Sequence, residues 1–387
     1  MKFDRMLCRS VLAMLFTVLL LTLAALPVSA ESAETLPPEL AEGYGTMLDA
    51  IPEDVRDDLP EGFFSGNEGE IGDAVGEMLD LSYVFGLILR AVGLYLDDAV
   101  RLFATLCGIL VLSAIFSALR ASIRATALAR LVSVVSSLAI LMAVAETQTA
   151  LFSQLEDYFA SLSALAGGMI PLSGVLYAMG GNVAGAATGS MTMSVFLAIC
   201  ECVGGKLLFP TVGACMALST VPVFAPGLNV RSVSSCIKKT FTFCLGFLMM
   251  LLSALLAMRS GLAAKADSVS ARTVKYVASS LIPVVGGSIA DSLRTVGASV
   301  EYLRTTLGIA GILLIVFLLL PVLMNVLLTR LALIFAASAA ELLGCDGEGR
   351  LLSELVSVYG YILAVAVMCA VMFVFALTLL IRTAVAV

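Results

Sequence analysis

The chain of 387 residues contains no histidine and no tryptophan. Lacking histidine, it loses the commonest general base, the catalytic triads built on one, and the usual zinc and iron sites. Lacking tryptophan, any aromatic belt at a membrane surface rests on tyrosine and phenylalanine. Charge is scarce too: 13% of residues are charged, where a soluble domain carries roughly 25%. No G-x-x-x-x-G-K-[ST] loop is present, so nothing points to nucleotide hydrolysis by this chain. No basic cluster interleaved with aromatics offers a footprint for nucleic acid. The nine cysteines include no C-x-x-C pair, and Cys200 and Cys202 have no second pair or histidine to complete a metal site. Buried cysteine behaves as a small hydrophobe, and that is the expected use here. The expectation is a protein without enzymatic activity, cofactor or metal.

What the chain has in abundance is apolar sequence, at 60% of residues. Long apolar runs without strand-like alternation predict membrane helices rather than barrel strands. Candidate spans fall at 102–119, 131–147, 163–181, 186–203, 206–225, 240–258, 306–328 and 355–381. A weaker piece at 331–343 is too short to cross upright by itself. The fold class is therefore all-α: a polytopic helical membrane protein with about 7–9 membrane segments, in a transmembrane domain over 101–387.

Residues 1–30 have the pattern of a signal peptide. Lys2, Arg5 and Arg9 precede the apolar stretch Val11–Leu26, and Val28-Ser29-Ala30 is a small-residue cleavage site. The alternative is an uncleaved first helix. Between Glu31 and Glu70 stand twelve acidic residues against Arg56 alone, with Pro37, Pro38, Pro52 and Pro60. This composition predicts a mostly disordered extracytoplasmic arm over 31–79. Over 80–100, Val84, Leu87, Ile88, Ala91 and Tyr95 recur at helical spacing, as in an interfacial amphipathic helix. Arg120, Arg124 and Arg130 mark a cytoplasmic loop, as do Arg231, Lys238 and Lys239. Glu156–Asp157 and the acidic stretch Glu341–Glu354 suit outside loops, but the basic segment Arg259–Lys275 resists this count.

Two stretches interrupt the apolar pattern: "GGMIPLSGVLYAMGG" at Gly167–Gly181 and "SSLIPVVGGSIADSLRTVG" at Ser279–Gly297. Pro171 and Pro283 each remove an N–H and obstruct a helical bond one turn earlier, while Gly174, Gly286 and Gly287 permit an unwound backbone. Freed carbonyls need protein or water partners, so such breaks should face an interior or an aqueous cavity. Asp291, just after the second break, would be costly in lipid and fits a polar vestibule. The two breaks lie 112 residues apart, and Pro210 matches Pro321 at an offset of 111. Tentative repeats over 131–225 and 243–336 follow. Paired interrupted segments of this kind point to a transport pathway. The charges leave open whether the copies are inverted or parallel.

Gly181, Gly185 and Gly189 form a small-residue face for close helix packing, within one chain or between copies in a homo-oligomer. Glu201 and Lys206 stand just over one turn apart at a span end. They suit an ion pair or a snorkelling lysine, with a proton relay as the other reading.

The chain resembles the stage III sporulation protein AE family of endospore-forming bacteria. The likeness rests on "LIPVVGGSIADSL" at Leu281–Leu293, the apolar run around Gly308–Leu328, and "LALIFAASAAELL" at Leu331–Leu343. Met169-Ile170-Pro171 with Gly180-Gly181 adds to it upstream. The resemblance implies a multi-pass protein of the mother-cell-derived outer forespore membrane. It also implies a place as the permease-like core of a secretion-like channel complex linking mother cell and forespore. Its partners would be the other stage III sporulation membrane proteins, with a secretion-type ATPase among them, and the lipid bilayer. A free-standing secondary transporter of a small solute, or a passive membrane scaffold, are the alternatives.

Overall fold

A computed structural model describes residues 38–49, 53–57, 59–65, 68–123, 126–179, 202–224, 232–247 and 286–382, with isolated positions between them. Every regular element among the described residues is helical. An apolar chain with no water at hand must satisfy each N–H within its own segment, and a helix does so. Short helices α1 (Pro38–Asp49), α2 (Glu53–Arg56) and α3 (Glu68–Met78) precede four long ones. The first two are α4 (Leu81–Ile123) and α5 (Thr126–Met179). A π-helical turn at Cys202–Leu208 leads into α6 (Phe209–Phe224), and α7 covers 232–247. The last two long helices are α8 (Gly286–Leu342) and α9 (Asp346–Arg382).

Among the described residues, four stretches are long and apolar enough to cross a membrane: Ser82–Phe116, Val134–Leu172, Thr306–Leu342 and Asp346–Val374. Lys206–Ser219 is a shorter apolar helix. The expected spans at 131–147 and 163–181 are joined in α5, so Glu156 and Asp157 are exposed helical residues and not a loop. Likewise the interfacial helix expected over 80–100 runs unbroken into the first span as α4. The piece at 331–343 is the last part of α8. Polar residues separated these pieces in the sequence, but a helix carries a polar turn without ending when its other faces stay packed. The spans expected at 186–203 and 240–258 lie partly outside the described residues.

α8 and α9 form a hairpin closed by a tight cap. Gly344 N donates to Glu341 O at 3.2 Å and Cys345 N to Ala340 O at 2.9 Å, with Gly344 at φ 73°. This pair of backward bonds needs a left-handed residue, which glycine adopts without a Cβ penalty.

α9 is enclosed by its neighbours. Its residues 348, 359 and 366 share one helical face, and Glu348 and Ala366 on that face meet α5 through Ser136 and Tyr158. Gly349 and Gly360 face α8, while Ser357, Tyr361 and Met368 face α7. The apolar windows of α8 and α9 are each 72% buried, against 28% and 33% for α4 and α5. α8 and α9 are thus the centre of the bundle. The outer faces of α4 and α5 keep Leu112, Ile115, Phe116, Val135 and Met142 exposed, a surface suited to lipid. Gly311 lets α5 and α9 close on α8: a Cβ there would stand 3.1 Å from Met169 Cε and 3.2 Å from Leu377 Cδ1.

The acidic arm differs from expectation. Over 38–78 it folds into α1 to α3, and Tyr44, Met47, Phe63, Ile71 and Met78 are buried in the common core. Tyr44 OH donates to the Phe63 carbonyl, α1 packs on α5, and α3 packs on α8. Mean composition concealed an apolar set at helical spacing (Ile71, Ala74, Val75, Met78), enough to anchor the segment while Asp49, Asp57, Glu61, Glu70, Asp73 and Glu77 stay exposed.

The prolines matched in the tentative repeat occupy unlike places. Pro210 opens α6 after the π turn, whereas Pro321 lies deep inside α8.

Candidate polar seam between the long helices

Two layers of polar side chains meet between α4, α5, α8 and α9. In the first, Gln154 Nε2 donates to Tyr95 OH at 2.7 Å, and Asn325 Nδ2 donates to Gln154 Oε1 at 2.6 Å. Thr329 Oγ1 continues the chain to Asn325 Oδ1 at 3.3 Å. Gln154 thereby ties α4 and α8 to α5, acting as donor to one and acceptor from the other. Linked bonds of this sort polarise one another and fix helix register. In a membrane each contributes on the order of 0.6 kcal/mol.

The second layer surrounds the start of α9. Ser113 Oγ of α4 and Ser136 Oγ of α5 both donate to Glu348 Oε1, at 2.9 and 2.6 Å. The side chain of Glu348 is buried, and two hydroxyls from separate helices supply part of the solvation that water would otherwise give. Its place in the first turn of α9 also opposes the positive end of the helix dipole. Beside it, Cys345 Sγ points to Leu110 O at 3.8 Å. Burial pushes the Cys345 thiol above its ordinary pKa; Ser113 pulls the other way, while Glu348 and Asp346 add to the rise.

Elsewhere in the bundle Gln148 of α5, Tyr359 of α9 and Arg330 of α8 also carry buried polar atoms. Both amide atoms of Gln148, the Tyr359 hydroxyl and Arg330 Nε are buried without a hydrogen-bond partner. On the far side of α9, Lys238 Nζ donates to Ser357 Oγ at 2.8 Å, and Phe241 meets the Tyr361 ring edge-on at 5.7 Å.

The residues singled out from sequence are not gathered here. Pro171 lies inside α5, which continues to Met179, and its side chain is exposed; the interruption expected there is absent. A proline removes one N–H, and a long helix held by its other bonds and by buried Leu165, Met169 and Leu172 passes through it. Gly174 is helical, with nothing within 4 Å of an added Cβ. Gly286 and Gly287 open α8, and Asp291 follows in its second turn. Lys206 is exposed in the π turn. Pro283, Gly181, Gly185, Gly189 and Glu201 lie outside the described residues. Of the seam residues passed over in sequence, Asn325 and Arg330 carry a signal, being polar residues in otherwise apolar sequence, where such residues normally turn inward; Gln148, in Glu146-Thr147-Gln148-Thr149, carries none. Among the described residues no group of Cys, Asp and Glu is arranged to hold a metal ion.

Long apolar helices with inward-turned polar side chains define a multi-pass helical membrane protein. Within that class the chain belongs to the stage III sporulation protein AE family, whose family model matches residues 73–384. The match begins inside α3, so most of the acidic arm lies outside it. No curated protein and no solved structure matches the chain.

Proposed function

We propose that this sporulation protein is the permease-like membrane core of a secretion-like channel complex that links mother cell and forespore. It would act from the mother-cell-derived outer forespore membrane. The other stage III membrane proteins and a secretion-type ATPase would be its partners. The observation that carries the reading is the chain Tyr95–Gln154–Asn325–Thr329 inside a bundle of membrane-length helices, in a member of this family. A core that passes polar cargo needs polar side chains in its interior. Interhelical hydrogen bonds hold membrane helices together in a scaffold as well, and the variants below separate that use from the passage of cargo.

The test is made in sporulating cells. The tagged chain should co-purify with the other channel subunits. Asn325→Leu and Gln154→Leu should leave that assembly intact while sporulation falls. Normal sporulation with both variants present at wild-type level would remove the conduit and leave a scaffold. Failure to co-purify, with solute flux from the isolated protein in vesicles, would make it a free-standing transporter.

A further inference from the structure

Two hydroxyls and a carboxylate converge where α4, α5 and α9 meet. Ser113 Oγ lies 2.9 Å and Ser136 Oγ 2.6 Å from Glu348 Oε1, and the two hydroxyl oxygens lie 3.3 Å apart. All three side chains are buried, and Glu348 keeps 3% of its surface. Ser113 continues the buried α4 stripe of Leu102, Leu106 and Leu110, and Ser136 opens the α5 stripe of Ile140 and Val144. Helix packing, and not a loop, therefore holds the three oxygens together. Cys345, which the Ser113 hydroxyl also reaches, stands beside them with its Sγ 3.8 Å from Leu110 O.

The charge of this cluster does not balance. Glu348 lies in a helix of membrane-spanning length, yet no Lys or Arg pairs with it among the described residues. The nearest charges along α9, Asp346 and Arg350, are exposed. Both hydroxyls reach the same carboxylate oxygen, so Oε2 has no protein donor among the described residues. The positive end of α9 and two neutral hydroxyls offset part of the cost of enclosing an anion, but they do not cancel its charge. An ionisable side chain inside a membrane bundle is normally paired, or it marks an ion pathway or site.

The donor set decides the ligand. Hydroxyl and carboxylate oxygens are hard ligands, and hard cations take them. One carboxylate balances one positive charge, whereas a divalent ion would leave an excess charge buried and normally recruits several carboxylates. A serine in a helix can turn its O–H to the carbonyl one turn back, which leaves its lone pairs for an ion. The two hydroxyl oxygens and the carboxylate are then acceptors gathered at one point, with water to complete the shell. We propose that Ser113, Ser136 and Glu348 form an internal site for a small monovalent metal cation. Bound there, the ion ties α9 to α4 and α5 whether or not the chain conducts cargo.

Sodium is the probe. The full chain is purified in detergent and heated at neutral pH and matched ionic strength in sodium chloride or N-methylglucamine chloride, whose cation is too large to enter. Unfolding is followed by release of buried Cys215 and Cys369 to a thiol-reactive dye. Binding to the folded state alone raises the midpoint, so sodium should shift it upward by several degrees. Glu348→Gln keeps the shape and an acceptor oxygen but removes the charge, and it should abolish the shift. Ser113→Ala and Ser136→Ala keep the carboxylate and serve if Glu348→Gln does not fold; each should shrink the shift. Equal wild-type midpoints in the two salts mean that hydroxyls or a proton settle the carboxylate without a metal ion, and overturn the proposal. A sodium shift of full size in all three variants places the cation elsewhere and overturns it equally.

Discussion

Asn325 Nδ2 stands 2.6 Å from Gln154 Oε1, and this single bond joins α8 to α5 at the height where Tyr95 brings in α4. Asn325 and Gln154 should be energetically coupled. Asn325→Leu leaves the Gln154 oxygen without its donor, and Gln154→Leu leaves the Asn325 amide without its acceptor. Either single change should cost about 1–3 kcal/mol. Replacing both removes the polar pair together and should cost less than the sum of the two. A double-mutant cycle on the detergent-purified chain measures the difference. Strict additivity would mean that the bond contributes nothing.

Gly360 leaves room for the Arg330 guanidinium. A Cβ there would meet the Arg330 guanidinium at 3.1 Å, tighter than ordinary contact, so the cation must shift. Gly360→Val should destabilise by about 1–3 kcal/mol as an overpacked site. Gly311→Ala is the comparison: its new methyl, smaller than the valine side chain, would meet Met169 Cε at 3.1 Å and Leu377 Cδ1 at 3.2 Å, and the thioether end can turn aside. Thermal midpoints should therefore fall further for Gly360→Val than for Gly311→Ala. The reverse order would show that Arg330 is free to move and Met169 is not.

How much of this arrangement the sequence foretold varies with the physics behind each part. Helical membrane architecture followed from apolar content alone, because the bilayer leaves the backbone few alternatives. Helix ends were harder to read: Glu156 and Asp157 look like a loop, yet they ride on the exposed face of α5. Pro171 misled for a related reason, since one lost N–H does not end a helix whose other face is packed. The seam was legible only residue by residue. Asn325 and Arg330 stand out in an apolar run, but their partners Gln154 and Gly360 are distant in sequence. Only the antiparallel α8–α9 hairpin and the return of α5 bring them together.

Cys345 offers a probe of the α8–α9 turn. It is buried, and burial raises its thiol pKa, so at neutral pH its thiolate fraction is below that of an ordinary cysteine. Cys236 is exposed. A thiol-specific reagent at neutral pH should label Cys236 well before Cys345, with mass spectrometry assigning the sites. Labelling of Cys345 should rise only as the pH passes above the ordinary thiol range. Ser113→Ala removes the hydroxyl that favours the Cys345 thiolate and should slow Cys345 further. Equal rates for both cysteines at neutral pH would mean that the turn is open to solvent.

The acidic arm is expected to be a docked domain, held by a few aromatic and aliphatic anchors. Phe63 is fully buried, its ring lies 6.1 Å from that of Tyr44, and its carbonyl accepts the Tyr44 hydroxyl. Phe63→Ala deletes a buried ring and should cost about 3–5 kcal/mol. Docking of a short segment is worth little more than that, so the loss should free the arm while α4 to α9 stay folded. Limited proteolysis of the full chain reads this directly. Wild type should resist cleavage between Glu53 and Met78, and Phe63→Ala should be cut there quickly, leaving a stable fragment that begins near α4. Tyr44→Phe keeps the ring and loses only the hydroxyl, so it should weaken protection by about fivefold, from roughly 1 kcal/mol. Rapid cleavage of the wild-type arm at the same sites would return it to the disordered state that its charge alone predicts.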